Sequence, residues 1–268
     1  MNSLPIFVVS FNRGRYLRMI IDSYRRQDMP VSIVIHDNGS DELNTVLVLA
    51  ELEAEGCSIY RNSKIMYADE LNLVDSTVQD YVSRSNYQGP FAVTDCDVDL
   101  SAARPDALRL YLELLDLYTD IDCVGPMLRI VDVPKSYPLF NRLMQRHIEQ
   151  FWASEPEWVE TSLGRIAILR HVIDTTFAIH RAGSTFRRLK PGVRVYHPFE
   201  ARHLDWYMGE LANGAYRATS SGLIAHWDNV TEFERFSAFE CVQLPYITVE
   251  GALPNLVLRN QSTADNPA

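Results

Sequence analysis

Long apolar runs are missing from this chain, and no stretch approaches the ~18 to 20 residues that a helix needs to cross a bilayer. The first residues also lack the basic block and apolar core of a secretory signal, so the expectation is a cytoplasmic protein without a transmembrane segment. Cysteine is scarce, with four in 268 residues. Cys57, Cys96, Cys123 and Cys241 stand far apart and form no Cys-x-x-Cys, which gives no sign of a zinc knuckle or a disulfide framework and leaves them as packing residues. Basic charge is in short supply, since 25 Lys and Arg face 35 Asp and Glu for a net charge of −10. That balance argues against a nonspecific grip on nucleic acid, which relies on clustered Lys and Arg. Internal repeats and low-complexity linkers are absent, so a second independent domain is not supported. The expectation is a single domain over 1–259 with a short polar, disordered tail over 260–268.

What is present is an alternation. Pro5 to Val9 is a continuous apolar run of the kind buried on both faces of a sheet, and Ser10-Phe11-Asn12-Arg13-Gly14 breaks it. Leu17, Ile20, Ile21 and Tyr24 then mark one helical face. Val31 to Ile35 reads as a second strand closing on His36-Asp37-Asn38-Gly39-Ser40-Asp41. Ser40 or Asp41 is suited to cap the next helix, whose Leu43, Val46, Leu47 and Ala50 fall on one face. Cys57 to Tyr60 is a third strand, and Leu71, Val74, Val78, Tyr81 and Val82 mark a helix that ends near Asn86. Phe91 opens a fourth strand, Pro105-Asp106 begins a helix with Leu108, Tyr111, Leu112, Leu115 and Tyr118 on its buried face, and Cys123 to Met127 returns as a strand. This order predicts an α/β fold with a parallel sheet and right-handed crossovers. Ligands in such sheets lie outside the carboxyl ends of the strands, so the polar loops at 10–13, 36–41, 61–64 and 95–99 are expected to share one edge. Beyond Val131 the rhythm changes. Residues 132–156 hold three prolines together with Tyr137, Phe140, Phe151 and Trp152, which reads either as a cover over a substrate or as packing against the sheet. Short strands follow at 159–161, 165–168 and 175–179, then loops rich in Gly, Arg and Pro after Arg181, and a last strand at 223–225.

The chemistry concentrates in Thr94-Asp95-Cys96-Asp97-Val98-Asp99. Three carboxylates at alternate positions where a buried strand leaves the sheet repel one another, and the simplest offset is a divalent cation. Oxygen-only ligands favour Mg²⁺ or Mn²⁺, and Mg²⁺ usually takes one or two carboxylates and completes its shell with water and phosphate oxygens. That points to a metal holding a nucleoside diphosphate. The plainer reading is a strand followed by a polar turn in which Asp99 caps the next segment.

Taken together, Ile6-Phe7-Val8-Val9-Ser10-Phe11-Asn12-Arg13, Ile33-Val34-Ile35-His36-Asp37-Asn38-Gly39-Ser40-Asp41 and Thr94-Asp95-Cys96-Asp97-Val98-Asp99 resemble the N-terminal half of the inverting family 2 glycosyltransferases. The resemblance covers residues 4–130 well and extends loosely to 230. It implies the GT-A nucleotide-diphospho-sugar transferase fold, with a Rossmann-like, mostly parallel central sheet flanked by helices. Residues 1–130 would form a nucleotide-sugar-binding half, and 131–259 a half that binds the acceptor and supplies the base. The implied activity is metal-dependent, inverting transfer of a sugar from a nucleoside-diphosphate donor, UDP being the commonest in the family, to a hydroxyl of a glycan or glycoconjugate. Bacterial glycan or polysaccharide assembly is the implied setting, and a lipid-linked acceptor would bring the protein to a membrane surface.

Carried over by residue, Ser10, Asn12, Arg13 and Asn62 match the lining of the nucleotide-sugar pocket. Asp37 matches the acceptor of a hydrogen bond from the base, with helix capping as its plainer role. Asp95 matches the aspartate near the ribose, and Asp97 the one that reaches the metal, with Asp99 as a substitute; which two of the three bind stays open. Asp205 matches the catalytic base, next to Trp206, an aromatic suited to stack on a sugar ring. Glu200 and Glu210 compete with Asp205, whose plainer role is that of an acid at a helix start. His226 matches a histidine that completes the Mn²⁺ or Mg²⁺ shell, or is a structural hydrogen-bonding residue. Arg13, Lys64, Arg187 and Arg188 are candidates to neutralise the diphosphate. Two other functions compete. A sugar-1-phosphate nucleotidyltransferase would open with a Gly-rich loop, whereas 10–14 has one glycine. A non-catalytic carbohydrate-binding protein would be expected to have lost the acids, all of which are present.

Overall fold

The computed structural model describes residues 3–63, 73–137, 139–207, 241–250 and 257–258. The first strand, β1 (Leu4–Ser10), is buried along its whole length, as its unbroken apolar run requires. It leads through α1 (Gly14–Arg25) to β2 (Val31–Asp37), α2 (Leu43–Ala54), β3 (Ser58–Arg61), α3 (Val74–Ser85) and β4 (Phe91–Asp95). A short β5 (Val98–Asp99), α4 (Ala107–Leu117) and β6 (Cys123–Pro126) follow. Then come α5 (Phe140–His147), which runs on as a π-helical turn over Ile148–Trp152, and the strands β7 (Glu157–Thr161), β8 (Gly164–Ile173), β9 (Ala178–His180) and β10 (Lys190–Val195). β11 (Arg202–His203) opens into a 3-10 turn over Leu204–Tyr207, and β12 (Cys241–Gln243), β13 (Ile247–Glu250) and β14 (Val257–Leu258) form a separate small sheet.

Nine strands form the main sheet in the order β3-β2-β1-β4-β9-β6-β10-β8-β7. β1 pairs in parallel with both β2 and β4, β2 with β3, and β6 with β10. β9 lies antiparallel between β4 and β6, and β8 antiparallel between β10 and β7, so only these two run against the rest. This is the expected α/β architecture with a mostly parallel sheet.

Three local readings are corrected. Helix α2 exposes the face expected to be buried: Leu43 is 73%, Leu47 55% and Val46 44% exposed, while Thr45, Leu49 and Leu52 point inward. Its rotation is set at Thr45, whose Oγ1 accepts from the Gly14 backbone N–H at 2.8 Å. A Cβ on Gly14 would stand 2.7 Å from the Thr45 Cα, so only glycine permits this approach of α1 to α2. The helix is capped by neither Ser40 nor Asp41 but by Glu42, which accepts from the N–H groups of Asn44 and Thr45. The segment after Arg181, expected as loops, contains β10; Pro191 and Gly192 argue against a strand by sequence, yet both edges of β10 are paired.

The aromatics of 132–156 pack inward rather than over an opening. Tyr137, Phe140 and Trp152 belong to the main core, and the Trp152 indole donates to the Leu128 carbonyl at 3.2 Å. The strand expected at 175–179 begins only at Ala178, because Phe177 takes a left-handed φ of 84° and turns the chain. Phe177 is fully buried against Tyr24 and Tyr111. A Cβ on Gly125 would collide with the Phe177 carbonyl, so β6 needs glycine there. No helix among the described residues is long and apolar enough to cross a membrane. The strand expected at 223–225 and the tail 260–268 lie outside the described residues.

The reversed face of α2 yields a direct test. Leu47→Gln should change stability by less than about 0.5 kcal/mol, as for an ordinary surface site, whereas Leu49→Ala should cost about 2–5 kcal/mol. Urea unfolding of the two variants measures both, and a larger loss at Leu47 would mean that this face is covered in solution.

Candidate functional site

The loops expected to share an edge do so, and side chains stitch them together. Asn12, at the left-handed φ of 47° to which Asn is well suited, links the loop after β1 to the loop after β2. Its backbone N–H donates to Ser40 Oγ at 2.9 Å, its Nδ2 donates to Asp41 at 2.7 Å, and its Oδ1 accepts from the N–H groups of Asp41 and Glu42 at 3.0 Å each. The Asn38 N–H donates to the Ser10 carbonyl at 2.8 Å. Asp37 is buried, and its carboxylate accepts from the Ser40 N–H at 2.9 Å and the Ser40 hydroxyl at 2.6 Å. It therefore shapes its own loop rather than capping α2; a carboxylate offers about four lone-pair sites, which leaves it capacity for a further donor. Asn62 joins from β3, donating its backbone N–H to the Asp37 carbonyl at 2.8 Å. Ser10 Oγ and Asn38 Oδ1 are buried at this edge without a hydrogen-bond partner in the structure.

The centre of the site is Arg13. One guanidinium nitrogen donates to Asp97 Oδ2, and the other donates to Asp205 Oδ1 at 2.9 Å. All three side chains are about nine-tenths buried. The residue expected to contact the donor thus joins the expected metal ligand to the expected base, from parts of the chain far apart in sequence. The backbone reinforces the meeting. β5 pairs antiparallel with β11, Asp99 opposite Arg202 and Val98 opposite His203, and the Leu204 N–H donates to the Asp97 carbonyl at 2.7 Å.

The three aspartates have separate surroundings. Asp95 accepts from the Thr175 hydroxyl at 2.6 Å, and its N–H donates to the Thr175 carbonyl at 2.7 Å. Burial, and after it the negative charge of Asp97, push its carboxyl up from 3.8 to about 8, against the opposing hydrogen bond from Thr175. Asp97 pairs with Arg13, and His203 Nδ1 stands 3.7 Å from its Oδ2. Asp99 is occupied by Ser101, accepting from its N–H at 3.2 Å and from its hydroxyl, which matches the turn-capping alternative for this residue.

Of the competing bases, Glu200 is buried and accepts from Arg129 at 2.7 Å, with His197 Nδ1 also at 2.7 Å. It anchors a second network in which Asp132 accepts from Arg129 at 2.9 Å, from Arg202 at 2.6 Å and from the Tyr207 hydroxyl at 2.5 Å. This network clamps 200–207 onto the segment after β6. Trp206 is only 2% exposed and lies flat against His203, ring centroids 4.9 Å apart, with His147 edge-on at 4.7 Å. The sugar-stacking role expected of it is therefore corrected: its faces are covered by protein. Lys64, Glu210 and His226 lie outside the described residues. Among the described residues no three His, Cys, Asp or Glu side chains gather as a metal cluster.

Sequence reasoning missed Thr175, His203 and Tyr16, whose ring centroid lies 6.0 Å from the Arg13 guanidinium carbon. His203 and Tyr16 each stand within three residues of a singled-out residue, so proximity was an available signal. Thr175 carried none, because only the turn at Phe177 brings it to Asp95.

No protein-family profile matches the chain, and no curated protein matches it. Among solved structures it is similar to the mannosyltransferase PcManGT from Pyrobaculum calidifontis in complex with GDP-Man and Mn²⁺, at 14% identity and a TM-score of 0.41, over 66% of this chain and 44% of that one. It is also similar to S. aureus TarS residues 1–349, at 16% identity and a TM-score of 0.39, over 67% and 47%. A third likeness is to 4-diphosphocytidyl-2C-methyl-D-erythritol synthase, at 8% identity and a TM-score of 0.32, over 81% and 85%. The chain thus spans less than half the length of the first two.

The Asp95 environment makes stability depend on pH with a definite sign. Its folded pKa lies above its unfolded value, so its contribution is full below about pH 4 and is lost as pH rises through about 8. Asp95→Asn should remove that loss. The gap in melting temperature, variant minus wild type, should grow in the variant's favour between pH 5 and pH 8.5. A gap that stays constant across this range would contradict the assignment.

Proposed function

We propose that the protein is an inverting glycosyltransferase on a GT-A fold, transferring a sugar from a nucleoside-diphosphate donor to an acceptor hydroxyl. The observation that supports this reading best is the Arg13 bridge, in which Asp97, at the carboxyl edge of the sheet, and Asp205, from far along the chain, share one buried cation. A displacement at an anomeric carbon needs these two functions close together: positive charge where the diphosphate departs, and a carboxylate to take the acceptor's proton. The reading also rests on the sequence motifs, and UDP is the donor nucleotide commonest in the family they resemble.

Asp205 is the base. It accepts the proton of the acceptor hydroxyl as the oxygen attacks the anomeric carbon from the face opposite the leaving diphosphate, so the configuration inverts. Arg13 holds this carboxylate in place and, sharing itself with Asp97, sets the distance between the base and the donor end of the site. Asp37 and Asn62 shape the rim for the nucleotide base, with Ser10 and Asn12 below it. Asp95 lies beside the ribose.

The donor set fits a hard cation. Asp95 and Asp97 supply oxygen only, and Mg²⁺ or Mn²⁺ commonly accepts one or two carboxylates plus phosphate oxygens, so a third protein ligand is not required. Asp97 would hold the metal, with Asp95 beside it, and Asp99 is the weaker candidate because Ser101 engages its carboxylate. Bound there, the ion would neutralise the departing diphosphate. The acceptor hydroxyl belongs to a glycan or glycoconjugate. A nucleotidyltransferase is disfavoured because the loop after β1 holds one glycine, and Asn12 serves to fasten that loop to its neighbour.

Incubation with UDP-, GDP- and dTDP-sugars and Mn²⁺ should release nucleoside diphosphate, and Asp97→Asn should remove most of this activity. Asp205→Asn should lower the turnover of transfer by roughly 10² to 10⁴ fold, the usual span for general base catalysis, with donor affinity little changed. Wild-type turnover in the Asp205 variant, release of pyrophosphate instead, or a product with retained configuration by NMR would overturn the reading.

A further inference from the structure

On the side of Asp95 away from Arg13's own partners lies an open cleft of about 740 Å³, lined by none of Arg13, Asp97 and Asp205. Its lining comes from the second half of the chain and from the start of α3: Arg146 of α5, Arg187 and Arg188 of the segment between β9 and β10, and the carboxylates Asp75 and Asp174. Both carboxylates are already engaged. Asp75 accepts from the Phe186 N–H at 2.7 Å, and Asp174 accepts from the Thr176 N–H at 3.2 Å while the buried Arg194 stands 3.9 Å away. Three guanidinium groups, those of Arg146, Arg187 and Arg188, line the cleft against two carboxylates, one of which is also faced by Arg194, in a chain whose net charge is −10. A concentration of positive charge against that background favours an anion, and planar guanidinium groups suit the paired oxygens of a phosphate.

The cleft adjoins Asp95. Asp174 precedes Thr175, whose hydroxyl donates to Asp95 at 2.6 Å, and Arg188 acts electrostatically on Asp95. The donor diphosphate, in the reading above, lies at Arg13 and Asp97, on the loops after β1 and β4. Arg187 and Arg188, offered by the sequence as partners of that diphosphate, instead line this cleft with Arg146, and none of the three belongs to a nucleotide loop.

We infer that this cleft is an acceptor subsite for a phosphate group, so that the hydroxyl that attacks the donor belongs to a phosphate-bearing acceptor. The inference rests on the glycosyltransferase reading for the word acceptor, and on the cleft alone for the word phosphate.

Calorimetry with inorganic phosphate as the probe separates the two. The whole protein is first saturated with UDP and Mn²⁺, which fills the donor site, and is then titrated with phosphate. Phosphate should still bind, and Arg187→Gln should weaken it about tenfold, as expected for loss of a charge-assisted contact, while UDP affinity stays within twofold. Arg187 is exposed, so the variant is expected to fold as the wild type does. Phosphate binding that vanishes once UDP is bound would assign the cleft to the donor diphosphate and overturn the inference. So would phosphate binding that is absent throughout, or equal in the Arg187 variant. A protein that binds phosphate through Arg187 but binds none of UDP, GDP and dTDP would sink the transferase reading and leave the phosphate cleft standing.

Discussion

A single buried cation shared by two carboxylates is the constraint on which this edge of the molecule depends. Arg13 lies about nine-tenths out of water and serves Asp97 and Asp205 together. Burying charge is costly unless each group is paired and hydrogen-bonded, and removing one member of such a set strands the others. The loop after β1, the turn after β4 and the segment after β11 therefore have to arrive at one point. A planar guanidinium is suited to this, since it can address two carboxylates from different nitrogens without moving.

Much of the surrounding structure holds those three segments in place. Asn12 fixes the loop before Arg13 by bonding across to Ser40, Asp41 and Glu42. Asp132 gathers Arg129, Arg202 and Tyr207, and so holds both ends of the stretch that carries Asp205. Between those ends, Trp206 is packed against His203 and His147, which fixes the 3-10 turn from its buried side. Each contact alone is modest, but a network whose members are mutually satisfied specifies one arrangement.

The alternate aspartates show how equal chemistry in the sequence becomes unequal in space. Asp95 faces the turn before β9 and shares a short bond with Thr175. Asp97 turns toward Arg13, and Asp99 closes a local turn with Ser101. Their spacing of two residues puts them on one side of an extended strand, yet only Val98 and Asp99 continue as a strand after β4. The break between β4 and β5 sends the three carboxylates to different partners.

The sequence by itself determined the alternating strands and helices from Leu4 to Pro126, because buried parallel strands need continuous apolar runs and their helices need a 3.6-residue stripe. It also determined that polar loops carrying Ser10, Asn12, Asp37, Asn62 and Asp97 meet at one edge, since parallel strands send their carboxyl ends the same way. Only the tertiary structure decided which face of α2 is inward, because that rests on the contact of Thr45 with Gly14 rather than on hydrophobicity. It alone decided that Pro191 and Gly192 lie inside a paired strand, that Trp206 is covered, and that Thr175 reaches Asp95. Above all it decided that Arg13 and Asp205 touch: a salt bridge between residues so far apart leaves no periodicity in the chain, and it exists only once the fold has brought the loop after β1 and the segment after β11 to the same edge.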